Sequence, residues 1–121
     1  MIGEKTMLYL EYPKCSTCKK AKKWLESKGI SFEQRNIVEQ NPTKQELKQW
    51  HQKSNLPLKR FFNTSGNVYK ELGLKDKLKD MTEEQQYEIL ATNGMLVKRP
   101  IVVTDDTVLL GFKETVWNSI L

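Results

Sequence analysis

One short stretch constrains this chain more than any other. Tyr12-Pro13-Lys14-Cys15-Ser16-Thr17-Cys18-Lys19-Lys20 holds both of its cysteines, with two residues between them. The preceding run from Met7 to Glu11 is short and largely apolar and is stopped by Pro13, so it reads as a buried strand. From Ser16 to about Lys28 the spacing turns helical, with Cys18, Ala21, Trp24 and Leu25 on one face, lysines on the other, and Gly29 as the stop. The cysteine pair therefore stands where a strand hands over to a helix.

That position suits thiol chemistry. The nucleophile in thiol–disulfide exchange is the thiolate, and a helix N-terminus offers unpaired N–H groups and the positive end of its dipole. Cys15, at or just before the first turn, receives most of this field. Cys18, three residues on, lies on the same face within reach of a resolving attack. Six lysines between Lys14 and Lys28 face a single acid, Glu26, so the local surplus equals the +5 of the whole chain. Cys15 is thus expected to attack first and Cys18 to resolve.

Two other uses of the pair stay open. A zinc site would need carboxylates as well, because His51 is the only histidine and there is no third cysteine. A static disulfide would close a very small loop for little entropic gain. A C-x-x-C at a strand-to-helix junction is how thioredoxin-like folds carry a redox dithiol, and that is the favoured expectation.

A chain of 121 residues, 38% hydrophobic and 29% charged, can bury a core as one globular domain without structural disulfides. No run approaches the roughly 18 consecutive apolar residues of a membrane span. Met1 to Thr6 lacks the apolar core of a secretory signal, so the expected compartment is the reducing cytoplasm, where such a pair is catalytic or sensory. Ile30 to Val38 alternates as a second strand, parallel to the first. From Asn41 the pattern becomes helical, with capping boxes at Thr43-x-x-Glu46 and Thr82-x-x-Gln85, the second opening a helix that ends at Gly94. Between them, Leu56 to Phe62, opened by Pro57, and Val68 to Leu74 supply further helices. His51 reads as a packing residue rather than a catalytic base. Pro100–Thr104, a turn at Asp105-Asp106 and Thr107–Phe112 form a hairpin, and Glu114–Leu121 a last helix with Val116, Trp117 and Ile120 inward. The expected plan is α/β: one domain over 1–121, with a core at about 7–40 and 97–121 and a helical insert at about 41–96.

That plan, with Cys15-x-x-Cys18, Phe61-Phe62-Asn63-Thr64-Ser65-Gly66, Asn93-Gly94-Met95-Leu96-Val97-Lys98-Arg99-Pro100 and Leu110-Gly111-Phe112-Lys113, resembles the arsenate reductase/Spx (glutaredoxin-like ArsC) family from about Met7 to Leu121. Within it the chain looks nearest to the branch of reductase-like and Spx/MgsR-like proteins. The resemblance implies a thioredoxin-like (glutaredoxin-like) fold with a mixed sheet and an inserted helical subdomain. It implies a cis Arg99–Pro100 bond facing the cysteine loop, and Arg99 as a fixed cation directed at Cys15 or at a bound anion. An ion pair with an acid of the helical insert is the plainer role for Arg99. The catalytic set is then Cys15, Cys18 and Arg99, with Lys14, Ser16, Thr17, Asn63, Pro100 and Lys113 binding substrate. Arsenate reducers of the family surround one cysteine with three arginines. Here Asn63 and Phe112, followed by Lys113, stand where two of them are expected, and neither Asn nor Lys offers a bidentate fork. The second cysteine points instead to an intramolecular disulfide cycle.

Two functions follow. As an enzyme, the protein reduces a disulfide or an arsenate-like oxyanion through Cys15 and Cys18, with thioredoxin, glutaredoxin or a glutathione-like small thiol as reductant and no bound cofactor. As an Spx-like regulator, it uses the same pair as a redox switch and binds RNA polymerase, through its α subunit. The lysine face lacks interleaved aromatics and no nucleic-acid motif is present, so direct nucleic-acid binding is not expected.

Overall fold

The computed structural model describes residues 7–121; the stretch read above for a leader, residues 1–6, lies outside them. The chain runs β1 (Leu8–Glu11), α1 (Ser16–Ser27), β2 (Glu33–Asn36), α2 (Lys44–Ser54), α3 (Asn67–Glu71), α4 (Leu74–Lys77), α5 (Glu83–Leu90), β3 (Ile101–Val103), β4 (Val108–Leu110) and α6 (Glu114–Ile120), with short 3-10 turns at Leu58–Phe61, Leu78–Asp80 and Gly94–Leu96. The four strands form one mixed sheet in the order β2-β1-β3-β4. β1 and β2 are parallel, Leu8 opposite Glu33; β1–β3 and β3–β4 are antiparallel, Tyr9 opposite Val102 and Val102 opposite Leu109. This is the thioredoxin-like α/β arrangement that the resemblance implies.

Strand alternation sends successive side chains to opposite faces of the sheet. Met7, Tyr9, Val102 and Leu109 meet Ala21, Trp24 and Leu25 of α1 and Trp117 of α6. Leu10, Ile101, Val103 and Val108 face the other way, onto Leu47, Trp50, Phe61, Tyr87 and Leu90 of the helical segment between β2 and β3. The sheet is thus sandwiched, with β1 and β3 buried on both sides. Both capping boxes form: Thr43 Oγ1 accepts from Glu46 N at 3.1 Å and Thr82 Oγ1 from Gln85 N at 3.1 Å, with the Glu46 and Gln85 side chains accepting from the two cap N–H groups.

Several elements differ from the expectation. The second strand is four residues, not nine. Arg35 stays within that strand while its side chain pairs with Glu46 at 2.8 Å, and Asn36 Oδ1 accepts from Val38 N and Glu39 N, which turns the chain after Asn36. Ile30 and Phe32 still pack on the α1 side, but as a loop. The segment after Pro57 is a single 3-10 turn rather than an α-helix, and the strand after the hairpin turn is only Val108–Leu110. α5 ends at Leu90, four residues before Gly94. In α6 only Trp117 is buried; Val116 and Ile120 are 41% and 49% exposed, because seven residues make two turns and only one position meets the sheet. Among the described residues no helix is long and apolar enough to cross a membrane.

Candidate active site

β1 delivers the chain to Tyr12, whose carbonyl accepts from Cys15 N at 2.9 Å and closes a tight turn over Pro13 and Lys14. Cys15 follows in an extended conformation (φ −85°, ψ 118°) as the N-cap of α1, and its Sγ accepts from Cys18 N at 3.2 Å. This is the contact that a Ser or Asp oxygen ordinarily makes at a helix start. A sulfur in that place is held against a backbone N–H of the first helical turn. Cys15 is half-buried and Cys18 fully buried, both as free thiols. Lys14, Ser16 and Thr17 surround Cys15 as exposed side chains.

Cys18 is a different kind of thiol. Burial first, and then its hydrogen bond with the Cys15 side chain, push its pKa from the usual 9.0 up to about 12; a backbone hydrogen bond at Tyr12 and the charge of Arg99 pull the other way. Cys18 therefore carries its proton at neutral pH. Its carbonyl accepts from the Tyr9 hydroxyl at 2.6 Å, which ties the first turn of α1 to β1. Burial, followed by the neighbouring Cys18, Glu11 and Cys15, holds that hydroxyl well above the usual tyrosine range.

The Arg99–Pro100 bond is cis, as the resemblance implies, and Pro100 is buried. The Arg99 guanidinium stacks on Tyr12, its Cζ 5.3 Å from the ring centroid. Its Nε and Nη1 are buried without a hydrogen-bond partner, and among the described residues it pairs with no carboxylate, so the ion pair with an acid of the helical segment is not formed.

Asn63 and Lys113 do not hydrogen-bond to either cysteine. The Asn63 N–H donates to Leu96 O at 2.7 Å, and its side-chain amide lies over Gly66. Lys113 stands exposed just before α6, beside Arg60 along a cleft on the edge of β4. His51 bonds Tyr87 Oη through Nδ1 at 2.6 Å and packs edge-on against Phe61, the packing role expected of it. Three residues that sequence reasoning passed over belong to the site's frame: Tyr12, Tyr9 and Glu11. Glu11 is 5% exposed and accepts a hydrogen bond from Gln34 Nε2. The alternation Met7, Tyr9, Glu11 was the available signal, since it puts both polar groups on the α1 side of the strand. Among the described residues no group of three His, Cys, Asp or Glu side chains is placed to hold a metal ion.

Comparison with known proteins gives one answer. The sequence matches the ArsC family over residues 10–120. It is 52% identical over 109 residues to the uncharacterized protein YusI of Bacillus subtilis (90% of this chain, 92% of that one) and 28% identical over 109 residues to the Regulatory protein MgsR of the same organism (90% and 85%). Among solved structures, an ArsC family related protein from Bacteroides fragilis superposes with a TM-score of 0.92 at 58% identity, covering 95% of this chain and 97% of that one. A possible arsenate reductase from Streptococcus mutans UA159 superposes with 0.89 at 35% identity, covering 98% and 100%. Match, coverage and fold agree: the chain belongs to the ArsC family.

Proposed function

We propose that the protein is a thiol–disulfide oxidoreductase in which Cys15 is the nucleophile and Cys18 the resolving thiol. The observation that carries this reading is the Cys15 sulfur capping α1, 3.2 Å from Cys18 N, with the second thiol buried one turn on. In the cycle, Cys15 as thiolate attacks one sulfur of a substrate disulfide. A Cys15–substrate disulfide forms, the second substrate sulfur leaves and takes up a proton. Cys18 then loses its proton and attacks Cys15 Sγ, which forms the Cys15–Cys18 disulfide and releases the first substrate thiol. The substrate gains two electrons. An external dithiol or two small thiols (thioredoxin, glutaredoxin or a glutathione-like thiol) return them.

The guanidinium of Arg99 supports an anionic group in the first intermediate. Buried guanidinium N–H groups without hydrogen-bond partners are costly until an acceptor arrives, and Lys14, Ser16 and Thr17 are exposed next to Cys15 in the chain. Asn63 and Lys113 fit a substrate-binding role less well than Arg99, since neither bonds a cysteine; arsenate, which calls for several convergent arginines, is therefore the weaker substrate. The reading takes residues 1–121 as one cytoplasmic domain, the helical insert covering one face of the sheet.

The test is disulfide reduction followed by thiol trapping. Wild-type protein should reduce a small disulfide in the presence of a regenerating thiol, Cys15→Ser should be inactive, and Cys18→Ser should accumulate a mixed disulfide visible by intact mass. Full turnover by Cys15→Ser would end the proposal. The relationship to MgsR favours a second reading, a redox-switched regulator that docks on the RNA polymerase α subunit. Capture of that subunit by the pure protein, changing with the oxidation state of the pair, would place this reading first.

A further inference from the structure

Two adjoining cavities, neither lined by a cysteine, follow the edge of β4. The larger, about 550 Å³, lies between the 3-10 turn at Leu58–Phe61 and the turn that leads into α6; its cations are Lys59, Arg60, Lys98 and Lys113. No acidic residue lines it, and none of the four forms an ion pair among the described residues. Its apolar floor is Phe62, Leu110 and Phe112. The smaller, about 250 Å³, continues from it past Arg60, Leu110 and Lys113, which line both, and is walled by Val108, Trp117 and the outward-facing Val116 and Ile120.

The backbone segments that carry these cations are held together by the fold. Lys98 N donates to Phe61 O at 2.8 Å and Val97 bridges Phe62, so the strand-like stretch carrying Lys98 is fastened to the turn carrying Lys59 and Arg60. The Lys98 stem lies across Gly111, where a Cβ would come within 3.2 Å of Lys98 Cε and where φ is +71°. Glycine thus serves both the backbone turn and the seat of that lysine. Four like charges gathered around one concavity repel each other, and an anion placed among them relieves it.

We propose that this two-part cleft binds a small amphipathic organic anion, with two or more phosphate or carboxylate charges on Lys59, Arg60, Lys98 and Lys113 and an apolar portion against Val116, Trp117 and Ile120. Shape selects a small molecule over a protein partner. The two cavities together fall in the range of small-ligand pockets, about 300–1,000 Å³, whereas a protein partner needs about 800 Å² of surface on each side. Neither cysteine nor Arg99 lines the cleft, so a reductase assay and the binding assay fail separately.

Octyl phosphate serves as the probe, with inorganic pyrophosphate as a head-only and octanol as a tail-only control, followed by calorimetry and amide chemical shifts on the full chain. Octyl phosphate is expected to bind one-to-one and to shift amides around residues 59–62, 98 and 110–117. A Lys59→Ala/Lys98→Ala double variant should weaken it tenfold or more, and Val116→Ser/Ile120→Ser should weaken it several-fold; all these side chains are exposed, and unchanged circular dichroism would show the variants folded. Lys20→Ala/Lys23→Ala on α1 should leave it unchanged. The proposal is overturned if octyl phosphate shows no saturable binding at millimolar concentration, if the α1 variant weakens it as much as the cleft variant, or if only an acidic polypeptide such as polyglutamate binds.

Discussion

Arg99 stacks on Tyr12, guanidinium carbon to ring centroid 5.3 Å, while the Tyr12 carbonyl holds the Cys15 N–H. Tyr12, just past β1, thus both stacks on the Arg99 cation and seats the nucleophile. With Nε and Nη1 buried and unpaired, Arg99 is a stability cost kept for another reason. Arg99→Met, similar in length and uncharged, is expected to leave folding free energy unchanged or raise it by about 1–2 kcal/mol in urea melts, and to slow closure of the Cys15–Cys18 disulfide about tenfold, because the charge that eases Cys18 toward its anion is gone. Arg99→Lys restores a charge but not the flat stack on Tyr12, so it should recover closure only in part. A large loss of stability in Arg99→Met, without a change in closure rate, would assign Arg99 a packing role instead.

Cys18 gives a signature in alkali. Its folded pKa, about 12, lies above the usual 9.0, so the folded state holds this proton more tightly than the unfolded one. The resulting stabilisation is fully present below about pH 9 and is lost as pH rises toward 12. The buried Tyr9 hydroxyl, also raised, adds loss of the same sign from its own usual range upward. Urea melts between pH 7 and 11 should therefore show falling stability in the wild type and a shallower fall in Cys18→Ala. Parallel slopes in the two proteins would mean that the thiol is not held protonated by the fold.

The role of Cys15 as a helix cap separates its structural work from its chemistry. Serine is among the preferred caps and alanine among the poor ones. Cys15→Ser should thus match or exceed the wild type in thermal stability while losing all disulfide reduction, and Cys15→Ala should be about 1 kcal/mol less stable than Cys15→Ser. Equal stability of the two variants would show that the sulfur's bond to Cys18 N contributes little to α1.

What could be read from the sequence, and what could not, follows from how far each signal reaches along the chain. The strand before Pro13, the helix from Ser16, both capping boxes and the hairpin around Asp105-Asp106 rest on neighbours within four residues, and all are formed. The second strand is shorter than its alternation predicts because its length is set by its partner: Leu8–Glu11 of β1 pairs only with Glu33–Asn36, and the chain turns at Asn36. Val116 and Ile120 share the helical spacing of a buried stripe, but nothing local says that β4 ends beneath Trp117 alone. The site divides the same way. Cys15 and Cys18 are legible as a pair, whereas the stacking of Arg99 on Tyr12 joins residues 87 positions apart and leaves no periodic trace.

Gly94 brings the helical segment against the backbone just past β2. The expectation that it caps α5 fails, since that helix stops at Leu90 and Gly94 opens the next 3-10 turn. Its role is contact: a Cβ there would come 1.9 Å from Ile37 O and 2.9 Å from Val38 Cα. The obstacle is backbone at the end of β2, where Ile37 N is bonded to Glu11 O at 2.8 Å, so it cannot swing aside as a flexible side chain would. Gly94→Ala must therefore push the two segments apart. Overpacking of a tight core costs about 1–3 kcal/mol, and a clash with fixed backbone belongs at or above the top of that range. Because Leu96, Val97 and Arg99 follow within five residues, the displacement should also reach the cysteine loop, lowering disulfide reduction along with stability. Gly66→Ala is the matched control: there the nearest atom is the Asn63 side-chain amide at 2.7 Å, which can rotate away, so the cost should be smaller. Urea melts of the two variants decide it, and equal losses would show that the approach of Gly94 to Ile37 is softer than its geometry requires.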